Sequence, residues 1–210
     1  MFTKHLINLK RTIMKNFLKL SLIFALVLTA ISAQAGEADF SLNVKKEKGK
    51  TVSFALNEVK KIELSIYDTS DKLIHTERIS SNGHINRTYD LAALPEGTYY
   101  LEAETEMKIA KYAITVVGET ATLSDLALSE VYKPIVLNNN GKVSLSILNL
   151  DKSPVTVLIY DRDGNEVYNS VFEGQQTVDK FFDITSVPRE KYTFVMSYDN
   201  KTFTETVAVK

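Results

Sequence analysis

Leu94-Pro95-Glu96-Gly97-Thr98-Tyr99 decides the fold. Pro95 presets φ near −65° for a tight turn, and Gly97 supplies a backbone position that a bulkier residue would resist. Tyr99 then opens the alternating run Tyr99-Tyr100-Leu101-Glu102-Ala103-Glu104, with Tyr99, Leu101 and Ala103 on one face. A tyrosine just inside a strand after such a turn is the sequence form of a tyrosine corner, whose buried ring bonds the backbone a few residues upstream. Losing that bond costs roughly 1 kcal/mol. An ordinary core tyrosine beside a β-turn is the alternative, and neither reading makes Tyr99 catalytic.

The surrounding segment, Ile62 to Val117, occurs twice. A shift of 93 positions superposes residues 62–117 on 155–210 without a gap, with 8 identities in 56 pairs. Ile66-Tyr67-Asp68 falls on Ile159-Tyr160-Asp161, Pro95 on Pro188, Tyr99 on Tyr192 and Lys108 on Lys201. Apolar substitutions keep phase as well: Leu64 with Val157, Leu101 with Phe194, Ile114 with Val207. A period this long means two complete folding units, not the short unit of a solenoid. Tyr192 is therefore the second candidate corner, although Glu190 stands there where the first repeat has Gly97.

Residues 1–35 contain Lys4, Lys10, Arg11, Lys15 and Lys19, no acidic residue, an apolar run from Leu20 to Ile31, and Ala33-Gln34-Ala35 ahead of Gly36. That is the pattern of a signal peptide cleaved after Ala35, with Met14 an alternative start. The apolar run is short for a membrane span, and no Cys follows it to carry a lipid anchor. Without the leader, 20 basic residues face 26 acidic ones, a net charge of −6. This argues against nucleic acid, which demands a basic footprint, and against docking on an anionic membrane. Cys is absent, so an exported chain of this kind relies on its cores and not on disulfides.

The rest reads as strand after strand. Val52, Phe54 and Leu56 alternate, as do Ile62, Leu64 and Ile66. Turns are expected at Lys45–Lys50, Thr69–Lys72, Ser80–Gly83, and around Asn140-Gly141, a strong hairpin signal. Gly118-Glu119-Thr120 is the expected junction, giving a first unit at 36–118 and a second at 119–210. Leu123, Leu126 and Leu128 lead into the latter without clear phase. Arg87 and Lys180 share the phase of apolar neighbours and are expected at strand ends with their heads in water. The fold class is all-β: two tandem immunoglobulin-like β-sandwiches of about seven strands each, preceded by a signal peptide.

Chemistry is sparse. His75 and His84 are the two histidines beyond the leader, but no nucleophile elbow, H-E-x-x-H or phosphate loop accompanies them. Both read as surface residues, and no catalytic or cofactor-binding residue is assigned. Asp161, Asp163 and Asn165 alternate as cation ligands would, yet Gly164 is misplaced for a calcium loop and no closing Glu follows. A Gly-containing hairpin turn is the better explanation of them. Tyr67, Tyr100 and Tyr160 are out of phase with the core and read as packing across a solvated sheet face. With no Trp in the chain, a carbohydrate platform is disfavoured.

Several motifs are shared with a known set of modules: Ile66-Tyr67-Asp68, Tyr89-Asp90-Leu91, Leu94 to Tyr99, and the closing strand Lys111 to Val117. They resemble the Ig-like modules of Bacteroidetes secreted proteins, including the C-terminal sorting domains of the type IX (Por) secretion system, and the flagellar hook-cap Ig-like module. The resemblance implies a bacterial exported protein, placed in the periplasm, at the cell surface or in the medium, built of seven-stranded sandwiches. The Pro-Asn-Pro entry usual in sorting domains is absent. The expected function is non-enzymatic binding or scaffolding of a protein or cell-envelope component, without cofactor or nucleic acid and not as an integral membrane protein. A type IX cargo whose last domain is a sorting signal, and a hydrolase with an unrecognised site, are the alternatives.

Overall fold

Alternation sets the elements, and all strand pairing is antiparallel. The structure, a computed structural model, describes residues 40–45, 48–186 and 191–208. The leader with Met14, the second corner from Val187 to Glu190, and Val209 lie outside the described residues. Among the described residues every regular element is a strand, and no helix is long and apolar enough to cross a membrane.

The first repeat contributes β1 (Ser41–Lys45), β2 (Thr51–Asp68), β3 (Leu73–Asp90), β4 (Gly97–Glu104) and β5 (Lys108–Val117). The N-terminal half of β2 pairs with β1, and its C-terminal half pairs with β4, while β3 follows it throughout. Register shifts at Asn57/Val59 and Val59/Lys61 bend this ribbon, because an extra residue in a ladder kinks the strand that carries it. Its two halves then enclose one core: Val52, Phe54 and Leu56 meet Leu64, Ile66, Tyr99, Leu101 and Ile114. Ser80–Gly83, expected as a loop, stays within β3, where Lys61 pairs with Ser80 and Val59 with Gly83.

Gly118-Glu119-Thr120, read as the junction, turns β5 into β6 (Thr120–Leu123), whose Ala121 and Leu123 pack in the first core. β7 (Ser129–Tyr132) pairs with the start of β5, but its Val131 is buried in the second core. The passage from one core to the other therefore runs through residues 124–128, with Leu126 and Leu128 exposed.

The second repeat holds β8 (Ile135–Asn139), β9 (Lys142–Leu148), β10 (Val155–Tyr160), β11 (Glu166–Phe172), β12 (Thr177–Asp183), β13 (Lys191–Tyr198) and β14 (Lys201–Ala208). They form a three-stranded sheet, β12-β9-β8, and a four-stranded sheet, β11-β10-β13-β14. Val143, Leu145 and Ile147 from the former pack with Val155, Val157, Phe194 and Met196 from the latter. Asn140 and Gly141, both at positive φ, make the β8–β9 hairpin turn, the backbone form that Asn-Gly adopts at least cost.

Candidate interaction surface

The corner that organises the first repeat is built as a closed loop of bonds. Tyr99 is buried, and its hydroxyl donates to the Pro95 carbonyl oxygen at 2.9 Å. Gly97, between them, sits at φ +154°. Tyr192 is also buried, its turn lying outside the described residues.

The acidic turns serve the backbone. Asp161 Oδ1 accepts the amides of Asp163 and Asn165 at 2.9 Å, and Oδ2 accepts Asn165 Nδ2 at 3.0 Å. The side-chain bond from Asn165, followed by the backbone donors, holds the Asp161 carboxyl below the usual carboxylate range. Asp163 is instead 3.5 Å from Arg162. Asp68 does the same in the first repeat, accepting the amides of Ser70 and Lys72 at 2.8 and 3.0 Å. Among the described residues no group of three or more His, Cys, Asp or Glu side chains could hold a metal ion.

The histidines stand apart. His75 packs edge-on against Tyr89 at 5.5 Å, the same contact that Tyr168 makes with Phe182 at 5.1 Å in the second repeat. His75 is thus an aromatic packing residue at a position that tolerates either ring. His84 lies between Asn57 Oδ1, 2.7 Å from Nδ1, and Asn86 Nδ2, 2.9 Å from Nε2. The heads of Arg87 and Lys180, expected in water, are held by protein. Arg87 Nε donates to both Glu77 oxygens at 3.1 Å, and Lys180 Nζ sits 4.5 Å over the Phe172 ring. Tyr89 also donates to Glu77 at 2.7 Å, and burial, then this bond, pushes its phenol far up.

The two repeats are joined by bonds as well as by chain. Tyr198 donates from the second repeat to the Tyr132 carbonyl oxygen at 2.5 Å. Lys201 Nζ reaches both Glu102 oxygens at 3.0 Å, and Lys133 Nζ reaches Glu104 at 2.6 Å. Lys108, buried, meets Glu130 at 2.6 Å and lies 4.8 Å over the Phe40 ring. Of the outward tyrosines, Tyr67 pairs across strands with Tyr100, and Lys111 covers the Tyr100 ring at 4.2 Å.

One sheet carries a group of exposed apolar side chains on its outer face. Ser144, in the centre of β12-β9-β8, pairs with Leu137 on one side and Phe181 on the other; Ser146 pairs with Ile135 and Asp179. Opposite residues in an antiparallel pair share a face, so the small serines form a trough walled by Leu137 and Ile135 on one side and by Phe181 and Asp179 on the other. Phe181 is 84%, Leu137 63% and Ile135 49% exposed. The matching face of the first repeat is polar. There Ser53 and Thr88, the counterpart of Phe181, share a 2.6 Å hydrogen bond, and Lys45 donates to Asn86 at 2.9 Å. The sequence concealed this patch, because Lys180-Phe181-Phe182-Asp183 does not say which phenylalanine points inward. Pairing Phe182 with buried Val143 does.

Comparison with known proteins bears on the first repeat. No curated protein matches the chain. Among solved structures, the BSP domain of a biofilm-associated protein is 14% identical with a TM-score of 0.28, covering 81% of this chain and 29% of that one. The FN1–FN3 domains of chicken CNTN1 are 8% identical with a TM-score of 0.27, covering 84% of this chain and 66% of that one. Residues 41–116 match the family described as the secretion system C-terminal sorting domain. Over that stretch the resemblance carried by the corner motifs is shown, and a sorting domain of this kind implies export out of the cytoplasm, to the cell surface or the medium.

Proposed function

We propose that this chain is a non-enzymatic exported protein that binds or scaffolds a protein of the cell envelope or of the secreted material, through the outer face of the β12-β9-β8 sheet. The observation that carries the reading is the trough of Ser144 and Ser146 between Phe181, Leu137 and Ile135. Exposed apolar surface with an aromatic anchor is the usual centre of a protein interface. The contacts that engage His75, His84 and Asp161 with neighbouring groups of the chain support a surface role over a reaction. Phe181→Asp and Leu137→Asp leave the inward Phe182, Val143 and Leu145 in place, so the fold should persist. A partner captured from the producing cell's envelope by the unaltered chain should then be lost with either variant. Equal capture by all three would refute the reading.

A second reading is favoured by the family match: the tandem unit, or one repeat of it, directs type IX export. The match falls on the first repeat, whereas the sequence pointed to the last domain as the signal. Deleting residues 41–123 and 134–210 in separate chains, and measuring export from a type IX-competent cell, tests it. One deletion should abolish export. Export unaffected by either deletion removes this reading and leaves the binding reading standing.

A further inference from the structure

The repeat allows one edge strand to be compared with itself. β5 and β14 are equivalent, Lys108 falling on Lys201, and each lies beside its corner strand, β4 or β13. The outer edge of β5 is covered along its length. β6 pairs with residues 114–117 and β7 with 108–111. Between them Ser124 exchanges bonds with Ala113 at 2.9 and 3.0 Å, and Leu128 donates to the Lys111 carbonyl at 2.7 Å. β14, by contrast, ends its sheet. Among the described residues, Asn138 Nδ2 donates to the Ala208 carbonyl oxygen at 2.9 Å, and no strand pairs with the outer side of β14.

Open edges are ordinarily blunted by bulges, prolines or lysines along the strand. β14 keeps an unbroken register with β13 from Lys201 to Ala208. Its outward face is Thr202, Thr204 and Thr206, and its two charged residues, Lys201 and Glu205, are of opposite sign. Those two stand symmetrically about Phe203.

We propose that β14 is a self-association edge: two molecules of this chain pair β14 with β14, antiparallel, across a twofold axis centred on Phe203. Each four-stranded sheet would then continue into the other. A twofold axis normal to the sheet keeps each face on its own side, so the axis must pass through a residue. Centred on Phe203, it sets Lys201 of one molecule opposite Glu205 of the other, twice, with Thr202 opposite Thr204 and Phe203 opposite Phe203. Moving the centre to Thr204 sets Phe203 against Glu205, and moving it to Thr202 sets Asp199 against Glu205. The strand is complementary to itself in the first of these registers and in neither of the other two. Lys201 already bonds Glu102, and the pairing places it between two carboxylates. A second molecule is favoured over an unrelated peptide because both the charge order and the apolar centre are met by the strand's own sequence.

Sedimentation of residues 39–210, the span of one compact unit, tests the proposal. The unaltered chain should dimerise in the micromolar range. Glu205→Lys should weaken the dimer by about tenfold or more, since like charges directly opposite are unfavourable. A chain that stays monomeric across that range overturns the proposal, as does a dimer indifferent to Glu205→Lys. A dimer lost on Phe181→Asp but not on Glu205→Lys also overturns it, assigning association to the other sheet.

Discussion

In the first repeat two 18-residue strands, β2 and β3, run as one bent ribbon around the core. In the second repeat the same ribbon is cut, so that β9 and β12 form one sheet and β10 and β11 belong to another. The cut has a local cause. Pro154 falls where the first repeat has Lys61, and proline offers no amide to a ladder. Register sets Leu56 opposite Ile85 and Ile147 opposite Val178, so Ile147 takes the place of Leu56, and the second repeat has two more residues at the break, where Asn149 stands. Leu56 and Ile147 each pack in their own core, whereas Asn149, wholly buried, ties the ends of the cut. Its Nδ2 donates to the carbonyls of Ser153 and Gln175 at 2.8 and 3.0 Å, and its Oδ1 accepts from Ser153 Oγ at 3.2 Å. The same ribbon is thus continuous in one repeat and divided in the other, where two added residues, together with Pro154 and the buried Asn149, mark the break.

Putting an amide into the continuous core, or removing the one at the break, is the most disruptive way to test the contrast. Leu56→Asn puts an unpartnered amide in an apolar core and removes its packing, at a cost on the order of 4 kcal/mol. Asn149→Leu leaves two carbonyls without their donor, at a cost of about 2 kcal/mol. Urea titration should show both as lower midpoints with the slope preserved. If Asn149→Leu proved neutral, the cut would be set by Pro154 alone.

The outer faces of the larger sheets differ as sharply. Glu63, Arg78, Glu102, Glu104 and Lys111 in the first repeat become Thr156, Val171, Val195, Ser197 and Thr204 in the second. The charges have work to do where they remain: Glu102 and Glu104 receive Lys201 and Lys133, and Arg78 bonds Glu63 at 2.6 Å. Partly exposed pairs of this kind contribute little individually, so the hold between repeats rests more on β7 and on the buried Tyr198. Tyr198→Phe removes the bond to Tyr132 and should cost about 1 kcal/mol, read as a lower melting temperature. It should cost more than Lys133→Ala, whose partner Glu104 is exposed enough to be hydrated. The reverse order would mean that the ion pairs hold the repeats together.

How much of this was legible follows from what alternation can carry. Period-two runs gave the strands, the Leu94–Tyr99 stretch gave its turn, and Asn140-Gly141 gave its hairpin, because each is decided by neighbours in sequence. Residues 124–132 were not legible. Their pattern has no single phase, since β7 pairs with one repeat while Val131 is buried in the other. Asn149 carried no signal in the sequence, because its carbonyl partners at Ser153 and Gln175 come from two separate turns. Arg87 was placed in water for a similar reason: Glu77, ten residues away, is brought opposite only by the bend of β3. The apolar trough escaped as well, being assembled from three strands whose registers are fixed by pairing and not by spacing.

The smallest contrast is in the hairpin turns after Tyr67-Asp68 and Tyr160-Asp161, and it is the cleanest. Both turns close with the same two backbone bonds: Asp68 N to Lys72 O and Asp71 N to Asp68 O, matched by Asp161 N to Asn165 O and Gly164 N to Asp161 O. Both place their fourth residue at positive φ, +57° at Asp71 and +83° at Gly164. Glycine accepts that conformation without the steric cost a β-carbon brings. Nothing lies within 4 Å of a β-carbon added at Gly164, so backbone strain is what a substitution there would measure. Asp71→Gly should therefore stabilise the first repeat by about 0.5 kcal/mol, offset in part by the freer unfolded chain. Gly164→Asp should destabilise the second by about 1 kcal/mol. Opposite signs in the two melting temperatures would establish that the turns are one structure built with different residues. A loss in both would show that the Asp71 side chain, 3.8 Å from Lys111, contributes more than its backbone strain costs.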